Sequence, residues 1–158
     1  MKIKHLATAF TAIMILTTGP ALAGKCSDFT RHQERLNGIP AHLLTAIAMT
    51  ESGHWDPRTR QGGPWPWTVT SPEGDIKHQS KWAAIQAVRD LKRRGVRNID
   101  VGCMQINLKH HRRAFRNLNH AFDPARNVAY AAGFLTRLYR ESGDWRMAVA
   151  YYHSRNPK

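Results

Sequence analysis

The stretch Leu43-Leu44-Thr45-Ala46-Ile47-Ala48-Met49-Thr50-Glu51-Ser52 decides how the chain is read. Pro40 just before it suits a first helical position, where its missing N–H would be unpaired anyway. Leu44, Ile47, Ala48 and Glu51 then fall at i, i+3, i+4 and i+7, one face of a helix. The only carboxylate of this helix therefore lies on its apolar stripe, at the C-terminal end. Desolvation and the negative end of the helix dipole both disfavour an ionised carboxylate there. A glutamate so held keeps its proton towards neutral pH, as a general acid must. An ordinary exposed residue closing a helix gives the same spacing, and periodicity alone does not separate the two.

Working outward, Ser27 or Asp28 caps a first helix running to about Leu36, and Asn37-Gly38 stops it. Residues 55–79 are rich in proline and read as non-helical. Within them Pro64-Trp65-Pro66-Trp67-Thr68-Val69-Thr70 begins a strand, Ser71-Pro72-Glu73-Gly74 turns, and Asp75 to His78 returns. Ser80 caps a helix with Ile85, Val88 and Leu91 on one side, ending at Gly95. Residues 96–102 read as extended or loop, and Asn107 as the start of a helix with Leu108, His111 and Phe115 on one face. Asp123-Pro124 opens the longest helix, striped by Val128, Ala131, Ala132, Leu135, Leu138 and Tyr139. Gly143 ends it, and Asp144 begins the last, with Trp145, Ala148, Val149 and Tyr152 inward. With no internal repeat, the expected fold is mainly α, a single domain with a small β-hairpin insert at about 62–98.

Residues 1–23 read as an export signal: Lys2 and Lys4, an apolar run from Leu6 to Leu16, and a small-x-small Ala21-Leu22-Ala23 cleavage site. The run is short of the about 20 residues a membrane span needs, so no stable membrane anchor is expected. Gly24 and Lys25 intervene before Cys26, where a lipid anchor would want cysteine at once. The domain proper is then 24–158, with a periplasmic or secreted location. The chain carries +13, and without Lys2 and Lys4 it has 22 Lys and Arg against 11 Asp and Glu, or +11. Such a field concentrates anionic partners. In an exported protein these are wall polymer, head groups or lipopolysaccharide, rather than nucleic acid. Cys26 and Cys103, the only cysteines, form either a disulfide in an oxidising compartment or two separate thiols.

Several chemistries can be set aside. There is no Gly-rich phosphate loop and no His-Glu-x-x-His helix. Glu51-x-x-His54 has di-iron ligand spacing but occurs once, and such sites need two copies; no metal and no cofactor is expected. No Gly-x-Ser-x-Gly elbow suggests a serine nucleophile.

What remains is an ordered set: Glu51-Ser52, then Gly102-Cys103-Met104-Gln105-Ile106-Asn107 read as a turn into a helix, then Asn127-Val128-Ala129-Tyr130-Ala131-Ala132-Gly133-Phe134-Leu135, then Ala150-Tyr151-Tyr152. From about 39 to 154 the chain resembles the soluble lytic transglycosylases, lysozyme-like enzymes that cut bacterial cell-wall glycan. The resemblance implies a lysozyme-like fold. It also implies Glu51 as catalytic acid/base, and Ser52, Met104, Gln105, Asn107 and Tyr151 lining a sugar cleft. Core packing is an equal reading for Met104. The family's Ala-Tyr-Asn-Ala-Gly stands here as Ala150-Tyr151-Tyr152-His153-Ser154. The insert with Trp65-Pro66-Trp67 resembles that of secretion- and conjugation-associated members, so the expected partners are peptidoglycan strands and a secretion, conjugation or flagellar assembly.

Most glycosidases use two carboxylates, roughly 5–5.5 Å or roughly 6.5–9.5 Å apart. No second acid pairs with Glu51 by spacing. The resemblance implies a one-carboxylate route in which the substrate supplies its own nucleophile and closes a 1,6-anhydro ring. The alternatives are a hydrolytic muramidase recruiting Asp56 or Asp100, and a cationic wall-binding module without turnover.

Overall fold

Helix α1 (Cys26–Asn37) lies against both the Glu51 helix, α2 (Leu43–Ser52), and the long α5 (Pro124–Ser142), on which α6 (Trp145–Ser154) also packs. The computed structural model describes residues 26–56 and 60–154; the expected leader lies outside them. Leu44, Ile47 and Ala48 of α2 meet Val128, Ala131, Ala132 and Leu135 of α5 and Ala148 of α6 in one apolar core. These are the stripes read from the sequence. Among the described residues no helix is long and apolar enough to cross a membrane.

A second core lies between a small sheet and a helix. Strand β3 (Thr68–Ser71) pairs antiparallel with β4 (Gly74–Lys77) on one side and with β5 (Asp100–Val101) on the other, and β5 pairs with β6 (Ile106–Asn107). Val69, Ile99 and Val101 cover Ala84, Ile85, Val88 and Leu91 of α3 (Lys81–Arg93), with Ala121 of the short α4 (Leu118–Ala121) and the buried Phe122. Ser80 caps α3 as expected, its hydroxyl accepting from Ala83 N. Trp67 packs on this core, and Trp65 stands edge-on to Trp67 and to His54, its Nε1 donating to His78 O.

Three local readings need correction. Helix α2 starts at Leu43, because 40–42 form a turn in which His42 takes a left-handed φ of 68°. The stretch after Glu51, read as non-helical with one hairpin from Pro64 onward, contains an earlier hairpin as well, β1 (Gly53–Asp56) antiparallel to β2 (Gln61–Pro64). Gly53 permits this abrupt exit from α2, since a Cβ there would sit 2.3 Å from Met49 O. Finally, Asn107 starts no helix. It is a strand residue whose Oδ1 accepts from Lys109 N and His110 N, capping a single turn that does not propagate. Residues 108–117 consequently run as irregular backbone until Asn117 caps α4.

The two lobes are stitched together beside the groove they enclose. Cys26 and Cys103 are disulfide-bonded, with Cα atoms 5.9 Å apart, tying the start of α1 to the β5–β6 turn. Asn127, fully buried on α5, accepts from Met104 N and donates to Val101 O and Ala121 O. Gly102 is required opposite it: its φ is +83°, and a Cβ would lie 2.5 Å from Asn127 Nδ2.

Candidate active site

Between the two lobes runs a groove of about 280 Å³. Helix α2 brings Glu51 to it, β5 and β6 bring Asp100 and Asn107, α5 brings Phe134, and α6 brings Tyr152 and His153. Gln105, on the turn between β5 and β6, completes its floor.

Glu51 keeps 20% of its side-chain surface, enough to reach a substrate and too little for full hydration. Burial pushes its pKa up to about 7, and the nearby carboxylate of Asp100 pushes the same way. His153 Nδ1 stands 3.2 Å from Glu51 Oε1. Asp100 is itself raised by burial, opposed by the hydrogen bond from Asn107 Nδ2 at 2.8 Å and by His110. Two carboxyl groups therefore share one partly dried groove, which favours keeping a proton on at least one of them. The second carboxylate, invisible in sequence spacing, arrives through the β3–β5 pairing.

Gln105 and Asn107 are in the groove, but largely occupied by the protein. Gln105 holds a left-handed φ of 46°, and its Nε2 donates to Gly102 O at 2.9 Å and Thr68 O at 3.3 Å. Its Oε1 is buried and has no partner among the described residues. The Asn107 amide donates to Asp100 and to Asn98, so this side chain chiefly orients Asp100 and the loop beyond.

Ser52 and Met104, expected to line the cleft, stand behind it. The Ser52 hydroxyl is buried and donates to Cys103 O at 2.7 Å, with Ala48 O at 3.2 Å sharing the proton. Met104 is wholly buried in the helical core. Both support the turn that carries Gln105. Tyr151 also gives way, to its neighbour. Successive helix residues point about 100° apart, and it is Tyr152 that faces the groove, donating from its OH to Met104 O. Burial, Glu51, Tyr130 and Asp100 together hold the Tyr152 phenol well above its ordinary pKa, so it remains a donor.

His111, unassigned by the sequence, closes one end of the groove. Its Nδ1 is 2.9 Å from the Tyr130 OH, and its ring stands edge-on to Phe134. Burial, then His110 and Arg137, lower its pKa and favour the neutral ring. Asp56, the other candidate base, sits at the end of β1 with its side chain outside the described part. Among the described residues no three His, Cys, Asp or Glu side chains are grouped to hold a metal ion.

The arrangement offers one acid poised between its two forms at neutral pH, a second carboxyl nearby, and phenol, imidazole and amide groups along a polar wall. Against known families, the model of the transglycosylase SLT domain matches residues 28–156. No curated protein matches the chain, and no solved structure does.

Proposed function

The chain belongs to the transglycosylase SLT domain family, which carries activity on peptidoglycan and a lysozyme-like fold, and from that premise we propose that Glu51 alone performs the acid and base steps of a lytic cleavage. Protonated Glu51 donates to the glycosidic oxygen between N-acetylmuramic acid and N-acetylglucosamine as the C1–O bond breaks. The acetamido carbonyl oxygen of the muramic sugar closes on C1. Ionised Glu51 then takes the proton of the C6 hydroxyl, whose oxygen displaces the acetamido oxygen from C1. A 1,6-anhydro ring forms, Glu51 recovers its proton, and no water is consumed.

The observation that carries this reading is the position of Glu51: at the groove, largely dehydrated, with a pKa of about 7. Such a group gives and takes a proton with nearly equal ease at neutral pH. The presence of Asp100 in the same groove favours one second reading, hydrolysis with Asp100 activating water. Against it, Asp100 is itself held towards its protonated form and is engaged by Asn107. The leader at 1–23 supports action outside the cytoplasm, in the periplasm or beyond. The tryptophan-bearing insert supports service to a secretion, conjugation or flagellar assembly.

Mass spectrometry of products from purified sacculi tests the proposal. Anhydromuramic ends are expected from the wild type and none from Glu51→Gln, whose circular dichroism should be unchanged. Products heavier by one water would establish the hydrolytic reading. Wall binding without released fragments, indifferent to Glu51→Gln, would establish a non-catalytic module.

A further inference from the structure

Beyond the groove, the irregular segment 108–117 concentrates charge of one sign. No acidic residue occurs anywhere in 101–122, while Lys109, Arg112, Arg113 and Arg116 all do. All four are exposed. Elsewhere Arg31, Lys77, Arg93, Arg94 and Arg146 each pair with a carboxylate. Among the described residues none of the four loop cations has such a pair. They also line concavities rather than a convex face. Arg112 and Arg116, with Lys92 from α3, border a hollow of about 210 Å³ floored by Phe115 and Leu118. Lys109, Arg112 and Arg113 border another of about 470 Å³ against Tyr130. His111 lines both hollows and the catalytic groove, so the three adjoin at its ring.

Resting on the glycan-cleaving reading, we propose that this cationic shelf binds the carboxylates of the peptide stem borne by the muramic sugar at Glu51. The stem leaves the sugar beside the scissile bond, and each of its residues reaches about 3.5 Å when extended. A stem of several residues can therefore pass His111 and lie along the shelf. Its free carboxylates match the guanidinium fork of arginine in charge and plane. Unneutralised cations gathered in one place repel one another, and an incoming carboxylate relieves that repulsion. The concave form and the adjacency to the groove at His111 favour a chain running on from the active site over a flat anionic membrane surface. The shelf thereby selects strands that still carry their peptides.

The test compares KM on glycan strands with stems intact and on the same strands stripped by an amidase. Wild-type protein should show the lower KM on stem-bearing strands, an advantage that shrinks as salt is added. In Arg112→Ser/Arg113→Ser the ratio of the two KM values should move about tenfold, worth about 1.4 kcal/mol. Arg112→Lys/Arg113→Lys should restore part of it, and Arg31→Ser on α1 should leave it in place. A wild-type ratio near one, or a salt-independent ratio, overturns the proposal without needing any variant. Loss of binding to phosphatidylglycerol vesicles in the double variant, with the KM ratio unmoved, would make the shelf a membrane contact instead. Failure of the wild type to cleave either substrate would sink the glycan reading itself, a distinct result from equal cleavage of both.

Discussion

A carboxyl group at the last turn of a helix, mostly out of water and near a second carboxylate, holds its proton for reasons that can be separated by mutation. For Glu51, burial is the larger cause and Asp100 the smaller. Between its unfolded value of 4.5 and its folded value of about 7, the folded state binds the extra proton. Stability therefore falls as pH rises through that window, and the penalty is complete above it. Glu51→Gln removes the penalty, so its Tm should exceed that of the wild type well above pH 7 and show no such gain near pH 4.5. In the wild type the acid form is the active one, and kcat/KM should decline above about pH 7. Asp100→Asn takes away the like charge but not the burial, so this alkaline limb should move to lower pH while cleavage persists. Complete loss of turnover in Asp100→Asn would instead assign Asp100 a direct role, as hydrolysis requires.

The helix that delivers Glu51 has no side-chain cap of its own, since His42 provides none. Its cap comes from another helix. Glu34 of α1, 4% exposed, accepts from His42 N at 3.0 Å, Thr45 N at 2.9 Å and the Thr45 hydroxyl at 3.1 Å. A carboxylate at a helix N-terminus also meets the positive end of the dipole. Glu34→Ala takes the acceptor from the His42 and Thr45 N–H groups, the Thr45 hydroxyl keeping Thr30, and should cost about 2 kcal/mol in urea unfolding. Glu34→Gln, which keeps an acceptor, should cost distinctly less; equal losses would mean that packing rather than capping is at stake. The sequence shows why α2 exists but not what starts it, because periodicity reports apolar faces and Glu34 lies on a different element. The same limit explains the site. Glu51 was legible from its place on the α2 stripe, and Gln105 and Asn107 from their motif. Asp100, His111, Phe134 and Tyr152 come together only through strand pairing and helix packing. Ser52 and Met104 carry the motif's signature yet face inward, because a turn as strained as that at Gly102 and Gln105 must be held from behind. Residues 108–117 have helical spacing, yet only a single turn forms, capped by Asn107 Oδ1 on Lys109 N and His110 N, before the backbone becomes irregular.

At the scale of the whole molecule, a groove between two cores works only if the cores keep their distance, and few covalent or buried polar links cross between them. Asn127, Ser52 and Tyr152 supply buried hydrogen bonds of this kind and the Cys26–Cys103 bridge the covalent link. The bridge joins residues 77 apart in sequence, and the loop it closes includes α2, both hairpins and α3. In the chain-entropy account a loop of that length contributes about 4–5 kcal/mol by restricting the unfolded state. Cys26→Ser/Cys103→Ser, or reduction of the wild type, should lower Tm by roughly 10–20 °C. The groove should nevertheless survive in the fraction that stays folded. The turn after Cys103 is still held by Ser52 on Cys103 O, by Asn127 on Met104 N and by Tyr152 on Met104 O. Cleavage measured well below the lowered Tm should thus remain within a few-fold of the wild type. If activity vanished while Tm held, the bridge would be setting the position of Gln105 rather than the stability of the chain. An unchanged Tm with unchanged activity would show that buried hydrogen bonds alone keep the lobes in register.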